Sequence, residues 1–296
     1  MTRTDILCIG SVLWDVIGRT PLSMRVGMDL PGRITRVPGG VALNIAMTLR
    51  RFGLRPALLS AVGQDAEGEE LIAACVTLGL EMGAVYRSED LPTDRYMAVE
   101  GANGLVAAIA DAHSLEAVGA RILQPLRNGT FGTPDAPWAG PVALDGNLTE
   151  ALLAEIAGSS LFRLSDLRIA PASPGKAERL VSLLGHPRAT FYVNIEEARL
   201  ITKTEAETSA EAAAAMRAAG AARVLVTDGS RCTSYADARE AIDLAPPEVL
   251  VTRITGAGDT FMAAHVAAEL RGEDPSAALA TAVRSAAQYV SGGDHP

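Results

Sequence analysis

A glycine-rich turn followed at once by an acid is the part of this sequence best suited to chemistry. Gly256, Ala257 and Gly258 precede Asp259, and the apolar run beyond Asp259 has the length of a helix. The first N–H groups of a helix lack partners within the helix, and the helix dipole adds partial positive charge there. The sequence therefore predicts an anion-binding turn with a carboxylate beside it.

Two roles are open for Asp259 on these grounds. An acid in the first turn of a helix often caps the helix or complements its dipole. Beside a bound anion the same carboxylate costs energy, which favours a catalytic role as a base. The stretch matches neither the GxxxxGK[ST] loop nor the three-glycine dinucleotide fingerprint, which excludes those two kinds of nucleotide site.

Strands and helices that alternate along the chain must position this turn. The apolar residues 5–18 are interpreted as one buried strand, with Asp15 at its end. Residues 41–52 have helical spacing and stop at a glycine, whereas two β-like runs within 93–113 predict a hairpin. The final helices are expected from Thr260 onward. The whole alternation predicts a mainly parallel sheet covered by helices.

Composition and charge limit the class of partner. The 296 residues are 48% hydrophobic and 21% charged, which is typical of a globular α/β protein. A net charge of −9 argues against nucleic-acid and anionic-membrane partners, because clustered Lys and Arg bind those surfaces. The three cysteines form no CxxC pattern, and neither a signal peptide nor a membrane span is visible. We expect a cytoplasmic protein that acts on small molecules.

Two segments resemble the signature regions of the PfkB, or ribokinase-like, family of carbohydrate and nucleoside kinases. They are PGGVALNIAMTLRRFG, residues 38–53, and GAGDTF, residues 256–261. The resemblance covers nearly the whole length and includes an Asn-x-x-Glu at 194–197 and VTDGS at 226–230. It implies an α/β fold, a ribokinase-like three-layer α/β/α sandwich forming a single domain over residues 1–296. A small β lid is expected from about residues 14–38 and 93–112.

The resemblance implies phosphoryl transfer from ATP. Asp259 would be the general base that takes the proton from a substrate hydroxyl as that hydroxyl attacks the γ-phosphate. The backbone of Gly256, Ala257 and Gly258 would form the anion hole for the transferred group. Small residues suit this role because they let the backbone approach phosphate closely.

The nucleotide side of the site is also assigned by resemblance. Asn194 and Glu197 match a motif that steadies Mg²⁺ and the ATP phosphates, with Glu197 acting through water. As bare sequence the same motif is typical of an exposed helix start. Thr227 and Gly229 match a loop that flanks the nucleotide, and the same alternative applies to them.

The acceptor side is assigned in the same way. Asp15 corresponds to the family's acceptor for sugar hydroxyls, and Asn44 would hydrogen-bond the same hydroxyls. Gly39 and Gly40 would form a hinge with close backbone approach to the sugar; an ordinary turn is the alternative. Lys176 would be a substrate-side or structural lysine, unless it is a solvated helix residue.

Several segments resemble the branch of the family that phosphorylates pseudouridine. They include TDRYMAVEGANGLVAAIAD, LDGNL and PASPGKAERL. This resemblance implies transfer to the primary (5′-) hydroxyl of a nucleoside. A kinase for another nucleoside or for a free sugar remains open, as does a non-catalytic nucleoside-binding protein. The intact run from Gly256 to Asp259 argues against a pure binder, which would not need a base.

Two expectations concern ions and assembly. Ribokinase-like members that need a monovalent cation usually carry an acid where this chain has Arg253. The guanidinium is a permanent cation, so potassium activation is not expected, whether Arg253 supports the anion hole or faces solvent. Lids of this family commonly pair across a dimer, which implies a homodimer through the lid.

Overall fold

The structure, a computed structural model, describes residues 4–253 and 255–293. Its strands are β1 (Ile6–Ile9), β2 (Leu13–Arg19), β3 (Arg33–Gly39), β4 (Pro56–Leu59), β5 (Ala61–Gly63), β6 (Tyr86–Ser88), β7 (Arg95–Gly101), β8 (Gly104–Asp111), β9 (Pro141–Asp145), β10 (Asp166–Ala170), β11 (Ala189–Asn194), β12 (Arg223–Thr227), β13 (Thr233–Ala236) and β14 (Ala241–Leu244). Its α-helices are α1 (Val41–Arg51), α2 (Ala66–Thr77), α3 (His113–Val118), α4 (Glu150–Gly158), α5 (Ile195–Thr202), α6 (Ser209–Ala218), α7 (Ala257–Leu270) and α8 (Pro275–Val290). Residues 119–126, 160–162 and 174–183 form 3₁₀ segments.

A large sheet of eight strands forms the centre of the molecule, in the order β14-β13-β12-β11-β10-β9-β1-β4. The six strands from β12 to β4 are mutually parallel, and β13 and β14 add an antiparallel edge. The carboxyl ends of the parallel strands therefore lie along one edge of the sheet. In open α/β sheets, ligands bind outside that edge.

Two hydrophobic clusters cover the two faces of this sheet. Leu7 and Ile9 of β1 pack with apolar residues of α4, α5 and α6. Ile6 and Cys8, which point the other way, pack with α1, α2, α7 and α8. A strand buried on both faces reads as a continuous apolar run, which is why β1 carries no polar alternation. The predicted three-layer α/β/α sandwich is confirmed.

Helix α1 forms where the spacing predicts it. Its apolar residues Leu43, Ile45 and Leu49 are buried, and the chain turns at Gly53 with a φ of +84°. On its buried side α1 contacts α7. This contact brings the N-terminal turns of the two helices together, although some 200 residues separate them in sequence.

A small sheet of four strands, in the order β3-β2-β7-β8, stands apart from the large one. The hairpin predicted within residues 93–113 is present as β7 and β8. The sheet is fastened to α2 through three side chains. The indole Nε1 of Trp14 donates to the carbonyl of Glu67 at 2.9 Å, Arg95 pairs with Glu67 at 3.0 Å, and Arg36 pairs with Glu70.

The interpretation of residues 5–18 as one strand is wrong. β1 ends at Ile9 in the large sheet, and β2 begins at Leu13 in the small sheet. Gly10 separates them with a φ of +153°, and a Cβ at this position would overlap the side chain of Asp145. Asp15 therefore belongs to the small sheet and does not end a strand of the large one.

Candidate active site

The first turns of α1 and α7 meet at the carboxyl edge of the large sheet. Asn44 lies in the first turn of α1, and its Nδ2 donates to Oδ2 of Asp259 in the first turn of α7, at 3.1 Å. Strands β9, β11 and β12 end at the same edge, with Asp145, Asn194 and Thr227 as their last residues. The structure thus gathers residues from both ends of the chain around one edge.

The N-terminus of α7 differs from those of its neighbours. Gly256 precedes the helix in the left-handed region, with φ +88°, and offers no capping side chain. Helices α2, α4, α5, α6 and α8 each begin with a side chain that accepts one of their N–H groups. Within residues 4–253 and 255–293, no side chain accepts a hydrogen bond from the first turn of α7. These N–H groups are available to an anion.

The helix begins earlier than the sequence indicated. We expected a turn followed by a helix from Thr260, but α7 starts at Ala257. The left-handed conformation of Gly256 lets the chain enter the helix directly, so Ala257 and Gly258 belong to its first turn. The predicted anion hole is therefore a helix N-terminus itself.

Asp259 is not a helix cap in this structure. Its carboxylate accepts the hydrogen bond from Asn44, whereas the N-cap position is held by Gly256. Burial raises the pKa of Asp259 to about 7; the bond from Asn44 lowers it, and the charges of Asp145, Asp15 and Glu197 raise it further. A carboxylate with this pKa can accept a proton near neutral pH.

Asp15 and its neighbours in the small sheet form a second polar surface. Asp15 pairs with Val37 of β3 and with Tyr96 of β7, so these three side chains share one face. Among the described residues nothing donates a hydrogen bond to the Asp15 carboxylate, and burial raises its pKa to about 6. A Cβ on Gly39 would overlap this carboxylate, so the glycine leaves it room.

Tyr96 was not identified from the sequence. Its half-buried ring lies beside Asp15. Burial is the larger cause of the raised pKa of the Tyr96 phenol, and the charge of Asp15 raises that pKa further. It lies in the segment TDRYMAVEGANGLVAAIAD that resembles the pseudouridine branch, but its place beside Asp15 depends on the strand register, which the sequence does not determine. An aromatic face next to a carboxylate without a donor among the described residues can pack against a planar ring.

Gly40 lets the chain pass close to Ser11. It has a φ of +100°, and a Cβ there would lie 2.5 Å from the carbonyl oxygen of Ser11. Ser11 in turn caps α1, because its Oγ accepts from the N–H of Val41 at 2.9 Å and its carbonyl accepts from Leu43 at 3.3 Å. The structure thus shows Gly40 as a close-packed turn, and a hinge motion remains a proposal.

A buried network joins Lys176 to the end of β9. Asp145 is 1% exposed and accepts from the N–H and Oγ of Ser11, at 2.8 and 2.5 Å, and from the N–H and Nδ2 of Asn147, both at 2.7 Å. Lys176 donates to Oδ1 of Asn147, and burial lowers the pKa of its ammonium group. Lys176 is therefore not a solvated helix residue. Ser11 was not singled out from the sequence, and Asp145 and Asn147 lie in the segment LDGNL, to which the resemblance assigned no individual role.

The Asn-x-x-Glu motif begins α5 with a reciprocal capping box. Oδ1 of Asn194 accepts from the N–H of Glu197 at 2.9 Å, and Oε2 of Glu197 accepts from the N–H of Asn194 at 2.8 Å. The motif is a helix start, but Glu197 is buried rather than on the surface. Thr227 lies opposite Asn194 in the β11–β12 register, and Gly229 follows in an exposed turn with φ +59°.

The residues present suit a magnesium ion held largely by water and phosphate. No group of three or more His, Cys, Asp or Glu side chains within the described ranges could hold a metal by itself. Burial raises the pKa of Glu197 to about 7, and its Oε1 has no hydrogen-bond partner among these residues. A cation nearby would stabilise that carboxylate, and Mg²⁺ in phosphoryl-transfer sites is typically held by one or two carboxylates with substrate phosphates and water.

The remaining sequence expectations concern thiols and membranes. Cys8 and Cys75 are buried, Cys232 is exposed, and all three are free thiols. No helix in residues 4–253 or 255–293 is both long and apolar enough to cross a membrane.

Comparison with known proteins places these features in a family. The sequence profile of the pfkB family carbohydrate kinases matches residues 3–294. Pseudouridine kinase of Escherichia coli is 28% identical over 262 residues, which cover 87% of this chain and 81% of that protein. The structure of a carbohydrate kinase from Agrobacterium tumefaciens is 26% identical, with a TM-score of 0.79, and the match covers 96% and 90% of the two chains. Arabidopsis thaliana ribokinase, solved with ribose and ATP, shares the fold at 18% identity with a TM-score of 0.76, over 98% of this chain and 93% of that one.

Proposed function

Because the chain belongs to the PfkB family of carbohydrate kinases, we propose that it transfers the γ-phosphoryl group of ATP to the primary (5′-) hydroxyl of a nucleoside, with pseudouridine as the acceptor. The observation that carries this proposal is the pairing of Asp259 with the N-terminus of α7. A carboxylate with a pKa of about 7 lies in the first turn of a helix whose N–H groups receive no cap. A base and an anion site side by side are what phosphoryl transfer to a hydroxyl requires.

In the proposed reaction Asp259 accepts the proton of the acceptor's hydroxyl as its oxygen attacks the γ-phosphorus. The N–H groups of Gly256, Ala257 and Gly258 stabilise the charge on the transferred group, and ADP leaves on the opposite side of the phosphorus. Asn44 donates to the unprotonated form of Asp259 and so favours the base over the acid.

Asp15 and Asn44 would bind the ring hydroxyls of the acceptor. The carboxylate of Asp15 has no donor among the residues described. Bound magnesium would neutralise phosphate charge. We propose that Asn194 and Glu197 hold it and the phosphates through water, while Thr227 and Gly229 flank the nucleotide. Lys176, joined to the end of β9 through Asn147, would support the acceptor side of the site.

Two observations support a nucleoside over a free sugar. The Escherichia coli relative named above is a pseudouridine kinase, at 28% identity. The ring of Tyr96 shares a sheet face with Asp15, so a planar base attached to the sugar could stack on it. A free sugar would leave this aromatic surface without a partner.

The test measures ADP release with Mg²⁺ and ATP over a panel of pseudouridine, uridine, adenosine, ribose and fructose. We expect the highest kcat/KM with pseudouridine. Turnover only with ribose or fructose would contradict the nucleoside assignment. Nucleoside binding without turnover of any acceptor would identify a non-catalytic binder.

A variant pair tests the aromatic contact. Base–aromatic stacking is worth about 1–3 kcal/mol, so Tyr96→Ala should raise KM for the nucleoside by about tenfold and change KM for ribose little. Tyr86→Ala is the matched control, because Tyr86 is another half-buried tyrosine that lies outside the small sheet and packs against the Arg121 guanidinium. Equal effects of the two substitutions would remove Tyr96 from the acceptor site.

We further propose a homodimer through the small sheet. Ile34, Met97 and Ile109 lie on the sheet face opposite Asp15 and are 77%, 46% and 63% exposed. Apolar residues clustered on one face favour association. Light scattering at micromolar concentration should give the mass of a dimer for the parent and of a monomer for Ile109→Glu; a monomeric parent would contradict the proposal.

A further inference from the structure

The segment that leads into α7 is tied to the carboxyl end of α8. The N–H groups of Thr252 and Arg253 donate to the carbonyl of Val290 at 2.7 and 3.2 Å. The hydroxyl of Thr252 donates to the same carbonyl at 3.1 Å. The last turn of α8 therefore fixes the backbone at Thr252 and Arg253.

Arg253 packs against the end of α8 and precedes the first turn of α7. Its guanidinium lies over the ring of Tyr289, 3.9 Å from the ring centroid, and its Nε donates to the Tyr289 carbonyl at 2.8 Å. A cation at the carboxyl end of a helix complements the helix dipole. The contacts hold the Tyr289 ring from one side.

Tyr289 reaches the glycine turn with its hydroxyl. This group donates to the carbonyl of Thr255 at 2.8 Å, and a Cβ on Gly256 would lie 2.6 Å from it. In a trans peptide the C=O and N–H groups point in opposite directions. Fixing the Thr255 carbonyl on Tyr289 therefore directs the N–H of Gly256 away from Tyr289.

We propose that Tyr289 is a positioning residue for the anion hole, locking the Thr255–Gly256 peptide so that the first N–H of the hole is set before ATP binds. Arg253 holds the ring of Tyr289, and Gly256 is required because its hydrogen leaves space for the hydroxyl. This inference rests on the proposed function, since it assigns the anion hole to the transferred phosphoryl group. A preset donor needs no rearrangement during the reaction, so its effect falls on kcat.

The first experiment compares Tyr289→Phe with Tyr235→Phe. The hydroxyl of Tyr235 donates to Asp237, outside the proposed site, so this control also loses one tyrosine hydrogen bond. We expect Tyr289→Phe to lower kcat three- to tenfold, the range of one hydrogen bond, with KM for ATP and acceptor unchanged. Tyr235→Phe should leave kcat at the parent value.

A second measurement is independent of activity. Hydrogen exchange in the ligand-free protein, read by mass spectrometry on peptides covering residues 252–261, should be faster in Tyr289→Phe than in the parent. Exchange should be unchanged there in Tyr235→Phe. Equal exchange in parent and Tyr289→Phe would overturn the inference even if no acceptor were found.

A double substitution tests the contact with Gly256. Gly256→Ala places a methyl group against the Tyr289 hydroxyl, and Tyr289→Phe removes that atom. Gly256→Ala should therefore cost less in kcat in the Tyr289→Phe background than in the parent. Additive losses, or a kcat of Tyr289→Phe within twofold of the parent, would refute this role. A parent protein without kinase activity would refute the proposed function instead.

Discussion

Asn44 lowers the proton affinity of Asp259, and its removal gives a prediction with a defined size. The Nδ2 of Asn44 donates to Oδ2 of Asp259 at 3.1 Å and lowers the pKa of a carboxyl that burial raises to about 7. Asn44→Ala removes the donor and leaves the half-buried carboxyl. The pKa of Asp259 should rise, and the enzyme should need a higher pH to work.

The magnitude comes from the worth of a hydrogen bond to a charged group. Such bonds contribute about 1.5–3 kcal/mol, and one pKa unit corresponds to about 1.4 kcal/mol. A bond of 3.1 Å to a half-buried carboxylate belongs at the lower end of this range. The pKa of Asp259 should therefore rise by about one unit, to about 8.

The assay is the pH profile of kcat/KM, which reports groups of the free enzyme. In Asn44→Ala its acid limb should move up by about one unit, so the variant loses about tenfold more at pH 6 than at pH 9.5. A lost contact to the acceptor would lower the whole profile equally and is distinguished in this way. Thr48→Val, which removes a hydroxyl bonded to the Asn44 carbonyl, is the control in the same helix. Parallel profiles for Asn44→Ala and the parent would refute the assignment.

Three further outcomes follow from the same contacts. Ser11→Ala removes the hydroxyl bonded to buried Asp145 and should lower the free energy of unfolding in urea by about 1–3 kcal/mol, whereas Ser60→Ala, whose buried hydroxyl has no partner among the described residues, should not. Burial raises the pKa of Asp259 from 3.8 to about 7, so the folded protein holds a proton that the unfolded chain releases, and this residue costs stability as the pH rises across that interval. The melting temperature of Asp259→Asn relative to the parent should therefore be higher at pH 8 than at pH 5. A difference in melting temperature that is independent of pH would contradict the raised pKa. Replacing potassium by sodium or choline at fixed ionic strength should leave kcat nearly unchanged, because the Arg253 guanidinium repels a cation, and several-fold activation by potassium would be the opposite result.

Local features of the fold could be predicted because they depend on neighbouring residues. The spacing of apolar residues predicted α1, and the turn between two β-like runs predicted the hairpin of β7 and β8. The family resemblance supplied the three-layer architecture. The boundary between β1 and β2 depends on a tertiary contact, and the prediction of one strand there was wrong. The two strands separate because Gly10 packs against Asp145, more than 130 residues away.

Ser11 and Tyr289 were missed in the site because each has a partner that is distant in sequence. Ser11 and Asp145 lie 134 residues apart, and Tyr289 lies 34 residues from Thr255. A serine or tyrosine carries no local pattern that would distinguish these roles from ordinary surface positions. The Gly-Ala-Gly-Asp run was found because the anion-binding donors and the acid are adjacent in the chain.

The central claim is that Asp259 is the base of a kinase, and its direct test is the kcat of Asp259→Asn with ATP, Mg²⁺ and the best acceptor. The amide keeps the shape of the carboxylate and loses only its basicity. We predict a kcat lower by about 10²–10⁴, with the affinities for ATP and acceptor within several-fold of the parent. A variant that keeps more than about a tenth of the parent kcat would contradict the account.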